Sequence, residues 1–357
     1  YPLGLNTMQA PVTHILALTN LRRARLLPAA GKVLVKQGQK VTPNDVIAET
    51  VLHPRHMVFD VRQALGITRP AQLSQAIERR VGDKVEADDV LARSGGLFKR
   101  VLRAPVAGQI SIIAGGRIVM EVDSPLFQLR AGLAGIITEI IPERGAILEA
   151  SGALVQGAWG NGRTDSGVLL SLAATPEDIL TRERLDVSMR GAVVVAGHCA
   201  QADAIRAANE LPLRGLILGS ATADLLPALQ TALFPILLTE GFGRIPMNMA
   251  AHRILTTNEK RDTAVNATVW NAFTGERPEV LIPLPAAGSV PAETVTLKEG
   301  LHVRILGMQQ AARVGIIVSL PAELVHLPNG VRTRVAQVKL ENDEQLAVPL
   351  CNLDVLE

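Results

Sequence analysis

The sequence predicts a multi-domain, β-rich chain with a central α/β domain, and three observations carry that prediction. The stretch Gly31-Lys32-Val33-Leu34-Val35-Lys36-Gln37-Gly38-Gln39-Lys40-Val41 is echoed at Arg80-Val81-Gly82-Asp83-Lys84-Val85. Each copy reads as a strand, a polar turn through a glycine that accepts positive φ, and a valine opening the next buried strand. Between residues 192 and 255, continuous apolar runs alternate with helical periodicity, as in a sheet buried on both faces. From Gly300 to Glu357 short strands return, separated by polar turns.

Composition sets the outer bounds. A chain of 357 residues is long enough for two or three domains with cores of their own. Its 48% hydrophobic and 20% charged content belongs to a globular rather than a disordered chain. Aromatics at 3% leave the cores to Val, Leu, Ile and Ala, and argue against stacking platforms for single-stranded nucleic acid. No apolar run approaches the roughly 18 residues of a membrane span. Cys199 and Cys351 lie far apart without metal-ligand spacing, so a reduced, cytoplasmic protein is the expectation. The sequence starts at Tyr1 rather than Met, which leaves a preceding leader open. Residues 1–130 carry 18 Lys and Arg against 10 Asp and Glu, and the remainder 18 against 24. The two segments therefore differ in sign, and a basic half suits an acidic partner, a polyanion or the acidic half of a second copy.

Residues 1–175 read as an all-β region. Strands are expected at Val12 to Leu18, Lys32 to Lys36 and Val46 to Leu52, with His53-Pro54-Arg55-His56 as a break. Ala71 to Arg80, behind Pro70, has the spacing of a short helix inserted between the two half-motifs. Strands resume at Val101, with Gly115-Gly116 as the turn between Ile110–Ile113 and Arg117–Val122. Gly135 to Gly145 repeats the strand-turn-glycine logic, and the region ends on Gln156-Gly157-Ala158-Trp159-Gly160-Asn161-Gly162-Arg163.

Residues 180–285 read as βαβαβα. Ala192 to Gly197, Gly215 to Gly219 and Pro235 to Thr239 are the strands; Asp203 to Leu211, Ala223 to Leu233 and Met247 to Leu255 are the helices. Such alternation implies a small parallel sheet with right-handed crossovers. Pro283 to Pro291 reads as a linker stiffened by three prolines, Pro283, Pro285 and Pro291. Residues 293–357 follow as a separate all-β unit, with strands at Val303–Ile305, Gly315–Val318, Val335–Leu340 and Leu346–Pro349, a turn at Asn342-Asp343-Glu344, and Leu350 to Leu356 closing a barrel.

Two resemblances attach to these residues. The paired half-motifs, with Arg103-Ala104-Pro105-Val106-Ala107-Gly108 after the second, resemble the barrel-sandwich hybrid of biotinyl and lipoyl carrier domains. The resemblance implies a lysine attachment point about seven residues before Ala104-Pro105; Lys99 lies five before, without matching flanks. No covalent prosthetic group, and no other cofactor, is expected. The C-terminal stretch resembles the KOW/SH3-like barrels of transcription factors of the NusG type and of certain ribosomal proteins. Its loop Met308-Gln309-Gln310-Ala311-Ala312-Arg313-Val314-Gly315 keeps only the final glycine of that family's loop. Residues 296–357 hold 6 basic and 7 acidic side chains, a poor footprint for phosphates, so this barrel alone is not expected to bind nucleic acid.

Candidate chemistry gathers at the carboxyl ends of the three central strands, where open parallel sheets bind ligands. Gly197, His198, Gly219, Ser220, Thr239, Glu240, Gly241 and Gly243 are the expected lining of one crevice. Glycines there let backbone approach a ligand, and Thr239 and Glu240 offer a hydroxyl and a carboxylate. His198 beside Cys199 would suit a thiolate nucleophile, but neighbours on a strand point to opposite faces, which disfavours the pair. Gly157 to Gly162 could cradle a phosphate through backbone amides, against the alternative of a tight turn with Trp159 packed inside. The seven histidines form no metal-ligand pattern, and no catalytic set converges. A noncatalytic scaffold or adaptor making protein–protein contacts, including contacts with itself, is the leading expectation. A small-ligand sensor or enzyme using the central strand ends, and a transcription- or ribosome-associated factor, are the alternatives.

Overall fold

The computed structural model describes residues 8–52, 55–67, 69–95, 99–122, 126–271, 276–285, 290–306 and 313–357. It is strand-rich, 48% strand against 14% helix, and among the described residues its several sheets are all open. The expected β-rich class stands at that level. The strands of 300–357, expected to close on themselves, lie in an open sheet.

The two echoing half-motifs adopt one turn twice. Gly38 and Gly82 take φ of 81° and 93°, and each donates its amide to a carbonyl at 2.7 Å, Ile137 O and Ile110 O respectively. One position on, Gln39 and Asp83 donate back to Lys36 and Arg80, each at 3.1 Å. The carboxylates of Asp45 and Asp89 accept from the amides of Thr42 and Glu86. The second copy lies inside the first, between the paired strands Val46–Val51 and Leu126–Arg130. Each copy has its own core, one around Ile47, Leu133, Ile137 and Leu148, the other around Leu91, Ile110, Ile118 and Met120. The inserted helix runs Pro70–Ala76 and stops short of Arg80, because Ile77 turns extended and bridges Ala92. An additional helix, Val61–Leu65, is capped by the Asp60 carboxylate on the Gln63 amide; five residues are too few for periodicity to announce it. His53 and Pro54 lie outside the described residues.

One twelve-stranded sheet carries the chain across the boundary expected near residue 175. Thr164–Ser171, Ala192–Cys199, Gly215–Ala221 and Ile236–Phe242 are parallel neighbours in that order. Beyond Thr164–Ser171 the sheet continues antiparallel through Asp262–Asn266 and Glu279–Pro283 to Gly145–Gln156. That last strand has three partners. Ile15–Leu26 pairs with it from Gly145 to Val155 along one edge; on the other edge Gly135–Ile141 pairs with its first half and Glu279–Pro283 takes over from Gly152. Gly152 makes the exchange possible: a Cβ there would sit 2.1 Å from the Ile282 carbonyl oxygen. Helices Ala202–Glu210 and Leu226–Thr231 cover one face of the parallel strands, over Val194, Leu216 and Leu238. Met249–Thr257 covers the other, over Val193, Ile217 and Val155.

The first strand belongs with the last. The chain breaks at His14, so Gln9–Thr13 and Ile15–Leu26 enter different sheets. Gln9–Thr13 pairs in parallel with Leu353–Leu356 and antiparallel with Thr294–Thr296, inside a seven-stranded sheet otherwise built from residues 294–356. Ala10 and Val12 alternate into that sheet's core with Val303, Ile317, Val338 and Val355. Residues 9–13 thus leave the N-terminal unit in which the sequence reading placed them. The turn Asn342-Asp343-Glu344 is where it was expected, with Asp343 at φ 64°. Residues 286–289 of the proline-rich linker, and 307–312 of the loop expected to be of KOW type, lie outside the described residues.

Candidate functional site

The three central strands do bring their carboxyl ends to one edge, in the register His198↔Ser220↔Gly241. The space between those ends is filled. A Cβ on Gly197 would lie 1.9 Å from the Asp178 backbone oxygen, which accepts the His198 amide at 2.6 Å. A Cβ on Gly219 would meet Met247 at 3.1 Å. Both glycines admit neighbouring backbone, not a ligand. Ser220 donates its hydroxyl to Ile245 O at 2.6 Å and accepts the Ile245 amide at 3.2 Å. With that hydroxyl proton committed, the 2.9 Å contact to His198 Nδ1 requires the imidazole to donate. Burial, then the charge of Arg244, pulls His198 below its ordinary pKa.

Thr239 is buried, with its hydroxyl on Gly219 O at 3.4 Å. Glu240 accepts the Asn248 amide at 3.0 Å on Oε1 and Arg304 Nη1 at 2.8 Å on Oε2. Asn248 in turn caps helix Met249–Thr257 through its side chain. Gly241 and Gly243 take φ of 93° and 126°, and the Gly243 amide closes onto Ala221 O at 2.9 Å. Phe242 meets Trp159 edge-on, ring centroids 5.5 Å apart. All eight residues expected to line a crevice are at this edge, where residues 245–247 contact Gly219 and Ser220, and Arg304 contacts Thr239 and Glu240.

Arg304 is the feature that the sequence reading missed. It is 2% exposed, donates to Thr239 O at 3.1 Å as well as to Glu240, and reaches Asp354 at 2.6 Å with Nη2. Burial opposes its charge, but Glu240 and Asp354 more than offset this and hold its pKa above the ordinary value. Asp354 also accepts Thr13 Oγ1 at 2.9 Å and Arg277 at 3.3 Å, and Arg277 stacks over Trp270 at 5.3 Å. Thr13, Glu240, Arg277, Arg304 and Asp354 form one buried network joining the first strand, the central sheet and the C-terminal sheet. The available signal was a single charge inside an apolar strand, as in Val303-Arg304-Ile305 and Leu353-Asp354-Val355. A cavity of about 230 Å³ is lined by Arg304 and Arg277 together with Trp270, Leu350 and Cys351.

The remaining candidates resolve as structure. The amides of Gly157, Ala158, Asn161 and Gly162 all donate to backbone carbonyls, of Pro278, Leu238, Ile236 and Ala267, so that loop has no cradle to offer. Cys199 is buried, its thiol pushed up in pKa by burial and pointed at Gln201 O. Lys99 is exposed; residues 96–98 beside it lie outside the described residues. Among the described residues no group of three His, Cys, Asp or Glu could hold a metal ion, and no helix is long and apolar enough to cross a membrane. No family profile matches the chain, and a comparison with curated proteins finds no significant match.

Proposed function

We propose that this chain is a noncatalytic, multi-module scaffold that works through protein–protein contacts, including contacts between its own copies. The modules are read as two nested barrel-sandwich-type units, a central α/β unit and an SH3-like unit. The observation that supports this reading best is Arg304. The strand ends where an α/β enzyme keeps its ligand are here spent on a buried ion network that fixes the C-terminal sheet against the central one. Outward-facing apolar side chains add to it. Ile112, Val119 and Val58 lie side by side across three strands of the inserted unit, with Val58 62% exposed. Opposite charge in the two segments of the chain supplies steering between copies. Sedimentation velocity at low salt and at 1 M salt tests the reading, because the Debye length falls to about 3 Å at 1 M. Association that weakens with salt is expected; a monomer under both conditions overturns self-contact.

A further inference from the structure

A second cavity, of about 500 Å³, lies where the N-terminal strands meet the central sheet. Arg25 and Arg130 enter it from the N-terminal side, Arg163 and Thr164 from the central side. Among the described residues none of the three arginines is ion-paired to a carboxylate. The adjoining 420 Å³ cavity differs: there Arg23 is matched to Glu279 at 2.9 Å and to Glu293 at 3.5 Å. Arg25 is also held in place. Its Nε donates to Ala131 O at 3.0 Å. Asn266, with its amide nitrogen on Thr164 Oγ1 at 3.0 Å, accepts both Nη groups of Arg25 through its oxygen at 2.9 and 3.2 Å. Gly132, at φ 73°, leaves the room: a Cβ there would stand 2.9 Å from Arg25 Nη2. Three of the five guanidinium donors are thereby used, and the others remain for a ligand.

Of the carboxylates lining this cavity, Asp165 is already tied to Arg214 at 3.1 Å, and Glu276, like Glu279 beyond it, acts on Arg25 through its charge without an ion-pair contact to that side chain. Phe127 and Leu233 add apolar surface to the lining. Arg130 spends one donor of Nη1 on Asn44 O at 2.6 Å and keeps the rest. One carboxylate is satisfied by one bidentate arginine; three guanidinium groups lining one cavity suit the charge and the three oxygens of a phosphoryl group. We propose that this groove binds a small organic phosphate ester, its phosphoryl group between Arg25, Arg130 and Arg163 and its organic part against Phe127 and Leu233. Because the arginines come from two units, the bound ester ties the N-terminal strands to the central sheet.

Calorimetric titration of the full chain at constant ionic strength with phenyl phosphate, inorganic phosphate and benzoate tests this. Saturable binding of phenyl phosphate is expected, at least tenfold tighter than inorganic phosphate or benzoate. Arg163→Ala, at an exposed side chain with no hydrogen bond or ion pair among the described residues, is expected to weaken it at least tenfold, and Arg25→Met to abolish it. Benzoate binding as well as phenyl phosphate would overturn the phosphate class, and inorganic phosphate binding equally well would overturn the ester. No saturable binding at millimolar concentration, or binding unchanged in Arg163→Ala, would overturn the site.

Discussion

Arg304 and Glu240, 64 positions apart and both nearly inaccessible, meet at 2.8 Å where the central sheet abuts the C-terminal one. Neither residue has water to fall back on. Removing one partner strands the other charge in a medium of low polarisability, which costs far more than the pair gains over apolar side chains of the same shape. Arg304→Met is therefore expected to lower stability by about 3–5 kcal/mol, read as a shift of the urea midpoint. In the double variant Arg304→Met with Glu240→Gln the loss is expected to fall short of the sum of the singles by more than about 1 kcal/mol. Additive losses would show that the pair is not coupled.

The repeat can be tested through its two turns. A Cβ at Gly38 or Gly82 would meet nothing within 4 Å, so alanine there acts only through the positive φ. Both substitutions are expected to cost about 1–2 kcal/mol, and to cost nearly the same. A loss confined to one would mean that the two turns are not equivalent in solution.

Gly152→Ala acts by another route. The carbonyl of Ile282 belongs to a paired strand and cannot swing away as a flexible side chain would. The loss is expected at the upper end of about 1–3 kcal/mol. Hydrogen exchange should quicken in Glu279–Pro283 more than in Gly215–Ala221; uniform quickening would count against a local hinge.

Acid should loosen the fold through two histidines. Burial lowers His14 and His198 below the ordinary value of 6.5; at His14 the charges of Arg23 and Arg277 add to this and Glu357 opposes it. A histidine depressed in the folded state binds its proton more readily when unfolded. The stability it contributes is full above about 6.5 and declines as the pH falls below that value. The urea midpoint is expected to be lower at pH 5 than at pH 7.5, with the difference reduced in His14→Gln. An unchanged difference in that variant would remove His14 from the account.

What could be read from the residues was local. The glycine turns at 38, 82 and 115–116, the apolar central strands and the alternation with helices all follow from backbone freedom and from burial on two faces, which leave their mark within a few neighbours. The nesting of one unit within the other, the pairing of Gln9–Thr13 with Leu353–Leu356, and the long strand Gly145–Gln156 shared between sheets depend on distant partners. Glu240 illustrates the same division at the candidate site. Its place at a strand end was legible; its partner was not, because nothing near Glu240 in sequence specifies Arg304.

That pairing of Gln9–Thr13 with Leu353–Leu356 also orders events during synthesis. Thr13 emerges from the ribosome well before Asp354, which accepts its hydroxyl and lies 341 positions later. Until then the first strand has neither its parallel neighbour nor the sheet that would bury Ala10 and Val12, and it waits as an unpaired edge. The nested and central units can form as they are translated, but the seam holding Thr13, Arg277, Arg304 and Asp354 can close only once Leu353–Leu356 has been made. Vectorial translation thus separates the two halves of this seam by more than three hundred residues of synthesis, and the first strand stays without its parallel neighbour throughout that interval.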